Sequence, residues 1–222
     1  MTMQPDQASV PASIPQPDQF PAFFRQAPVL LMRDPLAQFL GASPDGLMAY
    51  RYVDAVKLAG HSCPTVASAF LMVLRGLDTL YGGEVPVRGE IDVIMRGGRE
   101  EGATGVMANV AMLLTGAAPE TGFHGLGPLS LFSRHELLSF GGGDIDGELR
   151  LRRRDNGLAV DVACNPSMAP WPEEMQALLP LVVRGQANET LVRRFGELWQ
   201  YRVKRILVDL VDDPRLITVE EL

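Results

Sequence analysis

Sulfur and imidazole are scarce in this chain. Its 222 residues hold 2 cysteines, Cys63 and Cys164, and 3 histidines, His61, His124 and His135. Two cysteines cannot build a disulfide framework, so reduced thiols and a cytoplasmic setting are expected. No apolar run approaches the roughly 18 residues of a membrane helix, so no span is expected. The first residues, Met1-Thr2-Met3-Gln4-Pro5-Asp6, lack the charged and apolar regions of a secretory signal. Without secretion, the sequon Asn188-Glu189-Thr190 carries no meaning. A basic face is missing too. Against 27 acidic residues stand 20 Lys and Arg, a formal charge of −7, which argues against a nucleic-acid partner. The one basic concentration, Arg150-Leu151-Arg152-Arg153-Arg154, reads as a solvated strand end. At 46% hydrophobic and 21% charged, the chain has an ordinary globular composition and enough length for a sizeable core.

Residues 1–24, rich in Pro and Gln and without apolar periodicity, read as a disordered or draped arm. Residues 25–222 then read as a single α+β domain. Asp34 and Gly41 bracket a short helix as cap and stop, and a second helix is expected from Asp45 to Leu58. Pro64–Tyr81 carries a helical stripe of Val66, Ala69, Phe70, Val73, Leu74 and Leu77. A strand over Val85–Met95, a helix over Ala103–Leu114 stopped near Gly116, and a strand over Leu129–Phe140 follow. Asp155-Asn156-Gly157 signals a hairpin turn between Glu148–Arg154 and Leu158–Cys164. In its second strand Leu158, Val160, Val162 and Cys164 share one face, with Ala159, Asp161 and Ala163 on the other. Trp171-Pro172 opens a short helix, and Glu189–Asp209 is a long amphipathic one. This order predicts a mixed or antiparallel sheet flanked by helices, with a helical C-terminal segment over about residues 170–222.

Chemistry concentrates at Ala59-Gly60-His61-Ser62-Cys63-Pro64-Thr65. Proline suits the first helical position, where its missing amide costs nothing, so Cys63 falls at a helix N-terminus. The dipole and free amides there favour an anion, the form of sulfur that binds metals and attacks electrophiles. An imidazole and a thiolate two residues apart suit a borderline-soft ion, zinc by default or another divalent transition metal. Further ligands would come from Glu101, in the Gly-rich segment before the Ala103 helix, or from His124, flanked by glycines. Glu101 reads equally as a helix cap, and His124 as incidental to a surface loop. His135 is a weaker candidate, and Cys164 reads as a buried small hydrophobe. Met72, Met95, Met107 and Met112 read as core filler. Gly97–Gly105 lacks both the P-loop ending and the dinucleotide order of glycines.

Leu58-Ala59-Gly60-His61-Ser62-Cys63-Pro64 resembles the His-x-Cys-Pro element of the E-subunit family of formylmethanofuran dehydrogenase. Ala108–Gly116, ending Leu114-Thr115-Gly116, is similar to that family's second element, and the likeness covers roughly residues 35–140. The resemblance implies an α+β fold, a metal near the His-x-Cys turn with His61 and Cys63 as ligands, and homodimerisation. The chain departs from the family at Ala59, Val106 and Ala117, where members carry a further histidine or cysteines. It also lacks a cysteine-rich module in its C-terminal region and any pterin site. The expectation is therefore a protein of this E-subunit-like type holding one zinc-like ion, with water or a small ligand in an open position and the reaction, if any, left open. Two rivals stand beside it. One is an enzyme using Cys63 as nucleophile, activated by His61. The other is a non-enzymatic sensor or interaction module that docks through Trp199 and Tyr201 and keeps the metal as a structural element.

Overall fold

Helix α3 (Pro64–Tyr81) is apolar almost all round and buried almost all round, the pattern of a helix enclosed by its neighbours. Pro64 occupies its first turn, and Gly82, in the left-handed conformation at φ 55°, ends it. Both boundaries coincide with those expected from the sequence. The computed structural model describes residues 20–222. Most of the expected arm thus lies outside the described residues. Of its last residues, Phe24 is buried in a one-turn 3-10 helix, edge-on to Tyr52 at 4.9 Å, so packing has begun by that point.

The fold is α+β. A five-stranded mixed sheet has the order β4 (Leu138–Phe140), β3 (Ile91–Met95), β5 (Leu149–Arg153), β6 (Ala159–Cys164), β7 (Ile217–Glu221). Only β3 and β4 run parallel; the other neighbours are antiparallel. A separate antiparallel pair joins β1 (Leu30–Arg33) to β2 (Leu47–Tyr50). Helix α3 lies on the large sheet, and Gly76 is what lets it approach. A Cβ there would come within 2.7 Å of Leu151 Cδ1 and 3.0 Å of Val162 Cγ2. Helix α2 (Tyr52–Ala59) and helix α4 (Thr104–Thr115) flank α3. Helix α5 (Glu173–Val183) and helix α6 (Glu189–Lys204) form a second small core around Met175 and Leu198, and a π turn, Arg205–Asp209, extends α6.

Several expectations are corrected. The segment Asp45–Leu58 is not one helix, because Leu47–Tyr50 pairs with β1 before α2 begins. Of Leu129–Phe140 only the last three residues are strand. Ser130, Phe132 and Glu136 adopt positive φ, and Leu129 is 81% exposed, which is incompatible with an extended buried run. Of the face assigned to Leu158, Val160, Val162 and Cys164, the middle pair is buried while Leu158 is exposed. On the opposite face Asp161 is buried as well, because Arg150 stands directly across the ladder and grips it (Nε–Oδ1 2.6 Å). The basic run is therefore matched by acids of the same chain. Arg152 meets Asp92 at 2.7 Å and Arg153 meets Asp155 at 2.6 Å, with the Arg153 guanidinium 4.0 Å over the Tyr81 ring.

The short helix α1 (Pro35–Phe39) is capped as expected by Asp34, whose Oδ1 accepts the Leu36 and Ala37 amides. The same carboxylate, almost wholly buried, also meets Arg88 and Arg134, each at 2.8 Å. Burial alone would raise its pKa. The Arg88 hydrogen bond, the Ala37 amide and the Arg134 charge outweigh burial and hold the carboxyl below the usual aspartate range. Asp161 is held low chiefly by Arg150.

Removing Asp34 would leave two largely buried guanidiniums without their counter-charge and α1 without its cap. Asp34→Ala should cost about 3–5 kcal/mol in chemical denaturation. Both aspartates have folded pKa values below their unfolded ones. Their contribution is present above about pH 4 and lost as pH falls through the lowered folded values. The thermal midpoint should thus decline in acid below about pH 4, and more gently in Asp34→Ala; an unchanged acid branch in that variant would contradict the assignment.

Candidate functional site at the start of α3

Gly60, left-handed at φ 74°, stops α2, and Pro64 starts α3. Between them His61, Ser62 and Cys63 make a turn with three different fates. Cys63 is the N-cap of α3, buried, its Sγ accepting the Val66 amide at 3.5 Å. A sulfur thus takes the role that an oxygen of Ser or Asp usually fills. His61 is exposed, with Nδ1 2.9 Å from the Ala59 carbonyl oxygen. A carbonyl can only accept, so Nδ1 is the donor and Nε2 of the neutral ring keeps its lone pair toward solvent.

Ser62 is the anchor. Its hydroxyl lies 3.0 Å from the Tyr52 hydroxyl and donates to Gln200 Oε1 at 3.0 Å. Its carbonyl accepts from Trp199 Nε1 at 3.0 Å and Gln200 Nε2 at 3.2 Å. Helix α6 therefore clamps the turn from a distance of well over a hundred residues in sequence. Trp199 is itself wedged between Trp171 and Phe195, both 5.7 Å away. Of the two residues expected to form a docking face, Trp199 serves the fold and Tyr201 is exposed. Burial pushes the Tyr52 phenol well above its ordinary range.

The other sequence candidates are distributed elsewhere. Glu101 accepts the Gly98 amide at 2.9 Å, stapling its own loop before α4. His124 stacks on His135, ring centroids 4.1 Å apart, and His135 Nδ1 lies 3.6 Å from Glu136 Oε2. The chain thus brings these two histidines to each other. Among the described residues no group of three or more His, Cys, Asp and Glu side chains is placed to hold a metal ion. His61 and Cys63 offer two donors of suitable chemistry, each hydrogen-bonded to a different backbone group.

Against the start of α3, Pro64 and Thr65 included, lies a cleft of about 260 Å3, walled by α3, α4, the β5–β6 pair and α6. Cys164, Ser68, Glu148 and Arg202 line it. Cys164, read from sequence as a plain core residue, is only partly buried, and burial pushes its thiol up against the opposing effect of the Ser68 hydroxyl. The legible sign of this cleft is Thr65 and Ser68, polar positions in the otherwise apolar run Pro64–Leu74 of the helix. Arg202 and Glu148 carried no sign, because their convergence depends on α6 folding back.

With Cys63 buried beneath a clamped turn, alkylation by iodoacetamide should be slow. Gln200→Ala removes two bonds to Ser62, at a cost of about 1–2 kcal/mol, and should speed Cys63 labelling several-fold, as followed by peptide mass spectrometry. Equal rates would show that the clamp does not govern the turn.

No family model matches the chain, and no curated protein does. Among solved structures, the chain is similar to an E-subunit-like protein of tungsten formylmethanofuran dehydrogenase from Syntrophus aciditrophicus, at 15% identity over 78% of this chain and 72% of that one, with a TM-score of 0.42. That is a weak similarity at the level of the fold.

Proposed function

We propose that the chain is a metal-binding protein that carries one zinc-like divalent ion at the His61–Cys63 turn, with water or a small ligand completing the coordination. The observation that carries this reading is the 2.9 Å contact between His61 Nδ1 and the Ala59 carbonyl. Metal-ligating histidines characteristically donate one ring N–H to a carbonyl or carboxylate, which fixes the tautomer and orients the other nitrogen. His61 has that arrangement on an exposed side chain, two residues from the sulfur that caps α3. An imidazole with a thiolate fits zinc and its neighbours better than hard ions such as magnesium.

One chain offers two donors here, fewer than the four protein ligands of a structural zinc site. The ion would be exchangeable, open to a small ligand, and a second copy of the chain is the partner that would add donors. A structural role is disfavoured, because the core around α3 is closed by apolar contacts that need no metal.

Metal analysis and zinc titration on the purified chain test this. Wild type should bind about one ion per chain at a single site, and His61→Ala and Cys63→Ser should each weaken binding at least about tenfold. Chelation should leave the unfolding transition nearly unchanged. Negligible metal binding by wild type and variants alike would sink the proposal, and loss of the fold on chelation would replace it with a structural site.

A further inference from the structure

The cleft against the start of α3 carries charges of opposite sign on its walls. Glu148 stands just before β5 and Arg202 on α6, and both line the same space of about 260 Å3. Among the described residues the two are not ion-paired with each other, and Arg202 has no carboxylate partner at all. Each is instead fixed by backbone. Glu148 Oε2 accepts the Cys164 amide at 2.9 Å, and Arg202 donates through Nε to the Ala169 carbonyl at 2.5 Å. Arg202 also lies 5.3 Å over the Trp171 ring, which holds the guanidinium plane in one orientation.

Two half-buried opposite charges that line one cleft without pairing are costly to desolvate unless something bridges them. The edge of Arg202 that remains is its terminal pair of nitrogens, the fork that grips a carboxylate through two parallel bonds. The Glu148 oxygen that remains can accept from an ammonium. The rest of the lining is soft and weakly polar, with Met72 and Ser68 on α3, Met107 on α4 and Cys164 on β6. Thioethers adapt to apolar groups of varied shape. The volume is below the roughly 300–1,000 Å3 of sites for drug-sized molecules, so the occupant is small.

We propose that this cleft binds a small zwitterion, an amino acid with an apolar side chain, its carboxylate on Arg202, its ammonium on Glu148 and its side chain on Met72 and Met107. Neither His61 nor Cys63 lines the cleft, so the proposal does not rest on metal binding.

Titration calorimetry of the full chain, treated with chelator, against each protein amino acid tests it. Three probes then separate the two charges: L-leucine, 3-methylbutylamine, which lacks its carboxylate, and 4-methylpentanoate, which lacks its ammonium. An apolar amino acid should bind, and each single-charge analogue should bind at least about tenfold more weakly. Arg202→Gln should weaken leucine by a similar factor while leaving the amine unchanged. Glu148→Gln should weaken leucine while leaving the acid unchanged. Bound leucine should slow alkylation of Cys164 and not of Cys63, a readout that does not depend on either variant folding. His61→Ala should bind leucine as wild type does, which keeps this test separate from that of the metal. If no amino acid binds, or if the acid alone binds as well as leucine, the cleft is not a zwitterion site and the proposal falls.

Discussion

The carboxylate of Asp34 is where three separately formed parts of the chain are tied together. It caps α1 through the Leu36 and Ala37 amides. It holds Arg88, which precedes β3 and reaches the Leu113 carbonyl at the end of α4. It also holds Arg134, in the loop between α4 and β4, whose own backbone pairs with Ala118 and Phe123. A buried carboxylate with two amides and two guanidiniums around it is satisfied where a lone one would be costly. The arrangement is tight. A Cβ at Gly89 would overlap Arg134 Nη1, and one at Gly116 would come within 3.1 Å of Arg88 Cγ. The glycine stop of α4 and the turn before β3 are therefore parts of the same charge cluster. Arg88 Nε remains without a hydrogen-bond partner inside it, a local cost that the two ion pairs offset.

That cluster and the α6 clamp fix different parts of the fold. Asp34 fixes the small β1–β2 sheet and the loop against the end of α4. Trp199 and Gln200 fix the start of α3 against the C-terminal helices. Helix α3 runs buried along the large sheet, its approach set by Gly76. The consequence for chemistry is that the turn before α3 is held by Tyr52 from α2 and by Trp199 and Gln200 from α6. His61 in that turn is exposed, with an oriented imidazole. Against the start of α3 lies a cleft whose two charges are anchored by backbone and not by each other. Rigid placement of a few polar groups on helices and strands is what a binding site requires.

What the sequence could determine was local. The limits of α3 follow from Pro64 and Gly82, the stop of α4 from Gly116, the cap of α1 from Asp34, and the hairpin from Asp155-Asn156-Gly157. In each case a dihedral preference or a side-chain cap acts within four residues, so the signal is in the sequence itself. The His61-x-Cys63 turn was legible for the same reason. Tertiary structure decided what depends on a distant partner. Leu47–Tyr50 is a strand because β1 lies beside it, and β7 exists because it pairs with β6 in a register joining Val160 to Glu221. Asp161 is buried because Arg150 stands opposite, a pairing that alternation along one strand cannot reveal. The cleft arose only when α6 returned to the start of α3 and brought Arg202 to Glu148 and Cys164. Capping and turn chemistry are properties of neighbours in sequence. Edge pairing, buried charge and a cleft are properties of neighbours in space.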